Sequence, residues 1–280
     1  MEYNKTYGEL LDKDFKRLGK YIYDNYGINL YPQKHILVKS RLQKRLAELG
    51  MNSYAEYCDY VLKGEQGSKE AVHMMDRLST NKTDFFREAD HFDYLSGTLL
   101  KYYIVETGKK KIRVWSAGCS SGEEPYTIAM VLNEQKENIP FFDFNIFASD
   151  ISTTVLKKAK EAIYPSSDLI EIPENYRNKY LLKSKDSSKQ QIRINSKLRN
   201  KVKLFRYNLL STKSPFNKPV DIIFCRNTLI YFDRQTQENV INMLISNLPI
   251  GGYLFLGHSE SLINMNFPLK SVFPSVYKKI

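Results

Sequence analysis

Cysteine is scarce in this chain of 280 residues: only Cys58, Cys119 and Cys225 occur. Three isolated thiols build no disulfide framework, and their spacing matches no zinc site. Histidine is nearly as rare. His35, His73, His91 and His258 are scattered without metal-ligand spacing such as HExxH, so no metal centre is expected. No apolar run approaches the roughly 18 residues that span a bilayer, so membrane insertion is not expected. The opening MEYNKTYGELLDKDFK lacks the apolar core of a signal peptide, and a cytoplasmic location is expected. Acidic residues are also in deficit, 31 against 42 Lys and Arg, for a net charge of +11. That excess implies an acidic partner, whether nucleic acid, anionic membrane or acidic protein face, without choosing among them.

What is present is a soluble globular composition, 42% hydrophobic and 26% charged, in a chain long enough for one large domain or a medium and a small one. Residues 1–78 carry helical periodicity. Helices are predicted from Tyr7 to Tyr26 before Gly27, from about Gln33 to Leu49 before Gly50, and from a Ser53 cap through Leu62 with Gly64 beyond. A fourth is predicted from a Ser68 cap through Val72, Met75 and Leu78. Four short helices with glycine-marked turns make a small bundle.

From Lys111 onward strands and helices alternate. Strands are predicted at Ile112–Ala117, Phe144–Ser149, Val202–Tyr207, Asp221–Cys225 and Tyr253–Gly257. Helices are predicted at Pro125–Glu137, Thr153–Glu161 and Arg234–Ser246. This alternation predicts an α/β domain over residues 79–280, with a parallel sheet covered on both faces. Phe267 to Ile280 reads as strand pieces around Pro274 that pair antiparallel at the sheet edge. Residues 164–200 break the rhythm with Pro165, Pro173 and KSKDSSKQQ. Tyr180–Lys183 and Gln190–Asn195 are predicted to pair as a hairpin, giving an inserted antiparallel β-subdomain at about 166–203.

The most informative stretch is Arg113 to Leu132, RVWSAGCSSGEEPYTIAMVL. A buried strand leads into six small residues, Ala117 to Gly122, then two acids and a helix. Such a loop lets backbone approach a ligand at the carboxyl end of a strand. A pyrophosphate loop needs free N–H groups and little negative charge. Glu123 and Glu124 instead favour hydroxyls, amines or a cation, which suits S-adenosylmethionine better than a dinucleotide. Asp150 closes the second strand, 26 residues after Glu124, where a carboxylate can accept from ribose hydroxyls. The alternative for Asp150 is a cap on the following helix. Arg226, Asn227 and Tyr231 leave the end of the strand in DIIFCRNTLIY, with Asn227 offering an amide donor and acceptor. The residues directly after Asn227 are Thr228, Leu229 and Ile230, without prolines, which argues against an amine on a nucleobase as acceptor. In NKTDFFRE, Asn81, Thr83 and Arg87 can lie over a pocket mouth, or the segment can simply be core. The helix at 34–49 pairs an apolar seam, Val38, Leu42, Leu46 and Leu49, with a basic stripe of Lys34, Arg41, Lys44 and Arg45. The stripe suits an acidic helix or phosphates, or is a solvated face.

Together NKTDFFRE, RVWSAGCSSGEEPY, FASDI, YNLL, FCRNTLIYFD and GGYLFLGHSES, in this order behind a four-helix domain, resemble the CheR-type chemotaxis protein methyltransferases over nearly the whole chain. The resemblance implies a Rossmann-like domain that uses S-adenosylmethionine, leaves S-adenosylhomocysteine, and methylates glutamates of methyl-accepting chemoreceptors in their cytoplasmic helical region. It implies that Asn81, Thr83, Arg87, Glu124, Asp150, Asn208, Leu209, Arg226 and Asn227 line the cofactor site. Asp150 would hold the ribose, and Asn208 and Leu209 would lie near the adenine. Arg87 and Tyr231 would stand nearest the transferred methyl. Arg41, Lys44 and Arg45, with Lys34, would form the receptor-docking face of the N-terminal domain. The inserted β-subdomain resembles the element some members use to grip a receptor C-terminal peptide, but SKDSSKQQ lacks their glycine-rich turn. A monomer with no nucleic-acid partner is expected. The rival readings are an RNA methyltransferase and a non-catalytic receptor-binding adaptor.

Overall fold

The computed structural model describes residues 7–79 and 81–280, without the side chains of Glu65, Ser68 and Ser187. The chain divides into two compact units. One comprises the residues up to Thr80 together with Tyr231–Thr236, the other Asn81–Ile230 and Gln237–Ile280.

The first unit is helical: α1 (Asp12–Tyr26), α2 (His35–Leu49), α3 (Tyr54–Leu62) and α4 (Gly64–Leu78). Its core follows the helical period, with Phe15, Leu18 and Ile22 on α1, Val38, Leu42 and Leu46 on α2, Tyr57, Cys58 and Val61 on α3, and Ala71, Met74 and Met75 on α4. Burying each large apolar side chain contributes about 1.5–3 kcal/mol. Gly27 and Gly50 end α1 and α2 with φ of 69° and 67°, as their positions foretold. Ser53 caps α3 by accepting from Glu56 N at 3.2 Å. Two expected starts are corrected. Helix α1 begins at Asp12 rather than Tyr7. Helix α4 begins at Gly64, so position 68 lies within the helix rather than at its start. The glycines there serve a tight turn: a Cβ on Gly67 would lie 2.3 Å from Val61 O. The returning segment joins this unit through a bridge between Ile28 and Phe232 and through Tyr23 Oη, which donates to Asp233 Oδ2 at 2.5 Å.

The second unit opens with a helix that sequence periodicity did not single out. It runs as α5 (Ala89–Tyr94), a π-helical turn (Leu95–Leu99) and α6 (Leu100–Thr107), burying Phe92, Leu95, Leu99, Leu100 and Tyr103. Then follow β1 (Lys111–Ala117), α7 (Glu123–Asn138), β2 (Asp143–Asp150), α8 (Thr153–Glu161), β3 (Ile163–Pro165), α9 (Glu174–Tyr180), β4 (Leu181–Lys183), β5 (Gln191–Ile194), α10 (Ser196–Arg199), β6 (Val202–Arg206), β7 (Ile222–Cys225), α11 (Arg234–Ser246), β8 (Tyr253–Leu256), β9 (Leu269–Phe273) and β10 (Val276–Lys279).

Seven strands form one sheet in the order β6-β2-β1-β7-β8-β10-β9. The first five are parallel, and β10 runs antiparallel to both β8 and β9. The direction of winding reverses at β1, whose neighbours are β2 and β7. The crevice at the carboxyl ends of those strands is where such sheets bind ligands. The predicted hairpin forms, with Leu182 paired to Arg193, and it gains a third strand because Tyr164 pairs with Ile192 on the other side of β5. The fold is thus a Rossmann-like α/β domain with a helical N-terminal unit and an inserted antiparallel β-subdomain.

Candidate active site

Backbone geometry builds the site first. After β1, Gly118 takes φ +85° and the loop crosses the end of β2, where Gly118 N and Cys119 N both donate to Ser149 O at 2.8 and 2.9 Å. A Cβ on Gly118 would come within 2.5 Å of Thr228 Oγ1, so only glycine lets this loop lie against the segment after β7. Asp150 ties the loop down: its Oδ2 accepts from Ser120 N at 2.9 Å and its Oδ1 from Ser152 N at 3.0 Å. The N-cap position of α8 is held by Ser152, whose hydroxyl accepts from Val155 N. Asp150 therefore links the two strand ends from the position two residues before that cap. Ser120 Oγ donates to Asn81 O at 2.9 Å and brings the start of NKTDFFRE to the same place.

The charged centre is Arg226, whose side chain is 2% exposed. Its Nη1 lies 3.3 Å from Glu124 Oε2 and its Nη2 3.0 Å from Glu88 Oε2, while Arg87 O accepts from the same Nη2. Glu124 Oε1 in turn accepts from Ser116 Oγ at 2.7 Å. The two carboxyls respond differently to one guanidinium. Burial pushes Glu88 up, but Arg226 and the Asn227 amide together hold it below its ordinary range. For Glu124 burial wins over Arg226 and Ser116, and its pKa is raised. Glu88 stands within NKTDFFRE but was not among the expected site residues. Its role becomes visible only when β7 delivers Arg226 and Asn227 to it.

Asn227 sits at φ +55°. Its Nδ2 donates to Glu88 Oε1 at 3.2 Å and its backbone N to Glu260 Oε2 at 2.9 Å. Glu260 also accepts from Leu229 N and Gly257 N, both at 2.7 Å, so one buried carboxylate fixes the loops after β7 and β8. Glu260, too, escaped sequence reading, because its partners are dispersed along the chain.

The remaining expected residues fall as follows. Arg87 is half-buried, with Nη1 3.3 Å from Lys82 O, and Thr83 lies half-buried just before it. Asn208 accepts from Leu210 N through its side chain at 3.0 Å in the turn after β6, and Leu209 is buried beside it. Tyr231 belongs to the helical unit, where its carbonyl accepts from Asn29 N and Lys34 Nζ lies 5.9 Å from its ring centroid. On α2 the expected basic stripe is partly turned inward. Arg41 donates to Leu78 O and Ser79 O, and Arg45 grips Glu70 through two hydrogen bonds of 2.8 and 2.6 Å. Lys44 is exposed.

Two further groups adjoin the site. Glu123 is buried at the start of α7, and both its oxygens accept from Ser121 Oγ. Burial, only partly offset by those bonds, pushes its pKa up to about 7. Glu88, His91 and His258 bring one donor atom each within 4.8 Å of one another. Arg226 already occupies Glu88 there, which puts a positive charge where a metal ion would need an acceptor.

The CheR methyltransferase SAM-binding domain matches residues 81–277, and the CheR all-alpha domain matches residues 13–79. The chain belongs to the CheR methyltransferase family. A chemotaxis protein methyltransferase of Borreliella burgdorferi is 42% identical over 270 residues, 95% of this chain and 94% of that protein. Those of Salmonella typhimurium and Escherichia coli are 37% and 36% identical over 256 residues, 91% of this chain and 86% and 87% of theirs.

As a CheR family member the chain is a methyltransferase that uses S-adenosylmethionine. The donor set of the site fits that group: carboxylates on β2 and α7 suit hydroxyls and an amino group, a side-chain-poor loop lies between them, and Arg226 is held in place by Glu88 and Glu124. No helix among the described residues is long and apolar enough to cross a membrane.

Proposed function

We propose that this protein methylates glutamate side chains of methyl-accepting chemoreceptors, in their cytoplasmic helical region, to give methyl esters. The observation that carries this reading is the near full-length identity to relatives named chemotaxis protein methyltransferase. On this reading it acts as a cytoplasmic monomer without nucleic acid, and the N-terminal helices, with Lys34, Arg41, Lys44 and Arg45 among them, contribute to receptor docking. The inward bonds of Arg41 and Arg45 leave Lys44 the best presented of these cations.

Bound S-adenosylmethionine supplies an electrophilic methyl group. On this reading Asp150 would accept from the ribose, Asn208 and Leu209 would lie near the adenine, and Asn81, Thr83, Glu124, Arg226 and Asn227 would complete the lining. The acceptor glutamate has an ordinary pKa of about 4.3 and is ionised near neutral pH, so no general base is required. The protein's task is alignment, with reacting atoms about 3–3.5 Å apart, and exclusion of water. Arg87 is suited to orient the incoming carboxylate, because its guanidinium donates to the Lys82 carbonyl rather than to an acid.

The test is transfer of labelled methyl from S-adenosylmethionine to chemoreceptor-containing membranes, read as methanol released by alkali. Counts that require this protein support ester formation on carboxyls. Alkali-stable label, or label on RNA, would overturn the reading.

A further inference from the structure

The positive charge of this protein is not spread along the chain. Of its 42 Lys and Arg, sixteen lie between residues 157 and 218, with only five of the 31 Asp and Glu. That stretch alone carries +11, and the rest of the chain, with 26 charges of each sign, is neutral.

Helix α8 is the spine of this charge. Lys157, Lys158 and Lys160 are exposed on it, and no acid among the described residues pairs with them. Two guanidinium groups extend the stripe at either end. Arg206 donates through Nε to Ile151 O at 3.0 Å, and Arg193 through Nε to Glu161 O at 3.2 Å. Both arginines are exposed. A nine-residue helix is about 14 Å long, so five cations line a path of that order. The path begins beside Asp150 at the carboxyl end of β2 and ends on β5 of the inserted sheet. Basic residues near a helix C-terminus gain about 0.3–1 kcal/mol from the helix dipole. That accounts for Lys158 and Lys160, which lie in the last turn, but not for Lys157, Arg206 or Arg193.

We infer that this stripe is a docking surface for the acidic polypeptide segment that carries the acceptor glutamates, and that it leads the segment toward the methyl-transfer site. The inference rests on the glutamate reading above: a segment whose acceptors are ionised carboxylates is anionic by its own chemistry. Charge complementarity of this kind raises encounter rate and sets register, and salt weakens it. The five cations touch none of the groups that build the site, apart from the carbonyl of Ile151 next to Asp150, so they can change substrate capture without changing cofactor binding.

The experiment compares wild-type protein with Lys157→Gln/Lys158→Gln/Lys160→Gln. Initial rates of ester formation on receptor membranes are measured at low and high salt, together with calorimetric binding of S-adenosylmethionine and competition by polyglutamate. At low salt the variant is expected to raise KM for receptor by about 5-fold or more, with the gap closing as salt screens the stripe. Its kcat and cofactor affinity stay at wild-type values, which also shows that it is folded. Polyglutamate should inhibit the wild type and lose that effect in the variant. Equal KM at both ionic strengths, or a loss confined to kcat, overturns the docking surface. Wild-type protein that forms no ester at all overturns the glutamate reading first, and the docking inference with it.

Discussion

Arg226 and Glu124 meet at 3.3 Å inside the α/β unit, the guanidinium on the loop after β7 and the carboxylate in the first turn of α7. Since Glu88 holds the same guanidinium at 3.0 Å, one cation serves two carboxylates that would otherwise repel each other. Removing one partner of a buried ion pair costs about 3–5 kcal/mol, because the remaining charge is left unpaired. Arg226→Ala should lose stability of that order in urea denaturation, and cofactor binding should weaken with it. Wild-type stability in this variant would mean that the carboxyls are neutral.

Asp150 is expected to act in two ways, as a ligand to the ribose and as the acceptor for Ser120 N and Ser152 N. Asp150→Ala should weaken S-adenosylmethionine binding by about 10-fold or more, since a charge-assisted hydrogen bond is worth roughly 1.5–3 kcal/mol. An unchanged dissociation constant by calorimetry would remove Asp150 from the site.

Arg87→Ala should lower kcat by about 100-fold while leaving stability near wild type, because positioning alone can be worth that much. Turnover close to wild type would refute its role in orienting the acceptor.

Glu123 gives a prediction in pH. Its folded pKa, about 7, lies above the ordinary carboxyl value. Between the two values the folded state keeps a proton that the unfolded state has released, so stability falls as pH rises from about 4.5 to 7 and then levels off. Relative to an unperturbed carboxyl the loss is on the order of 3 kcal/mol. Glu123→Gln should therefore match wild type near pH 5 and melt at a higher temperature near pH 8. Parallel melting curves across that range would show that Glu123 is already ionised when buried.

The parallel strands were legible because each is a short apolar run bounded by glycine or by a polar loop, and Asp150 was legible because it ends one of them. The helix α5–α6 was not, although Leu95, Leu99 and Tyr103 recur at helical spacing. Glu88 and Glu260 were also missed, for a different reason. Each acts on groups far along the chain, Glu88 on Arg226 and Glu260 on Asn227 and Leu229, and only the sheet order brings them together. The basic stripe of α2 was visible as a pattern of residues, but not the inward bonds of Arg41 and Arg45, because their acceptors lie on another helix.

The short return of Tyr231–Thr236 to the helical unit means that the chain passes between its two units three times rather than once. A fragment ending near Ser79 would lose the strand partner of Ile28 and the acceptor of the Tyr23 hydroxyl. A single protease cut at the junction near residue 80 would leave both pieces still stitched by the loop at 231–236. Exchanging helical units between relatives therefore calls for two coordinated grafts, and a swap that moves only the first eighty residues parts Tyr231 from Asn29, whose backbone N–H donates to it.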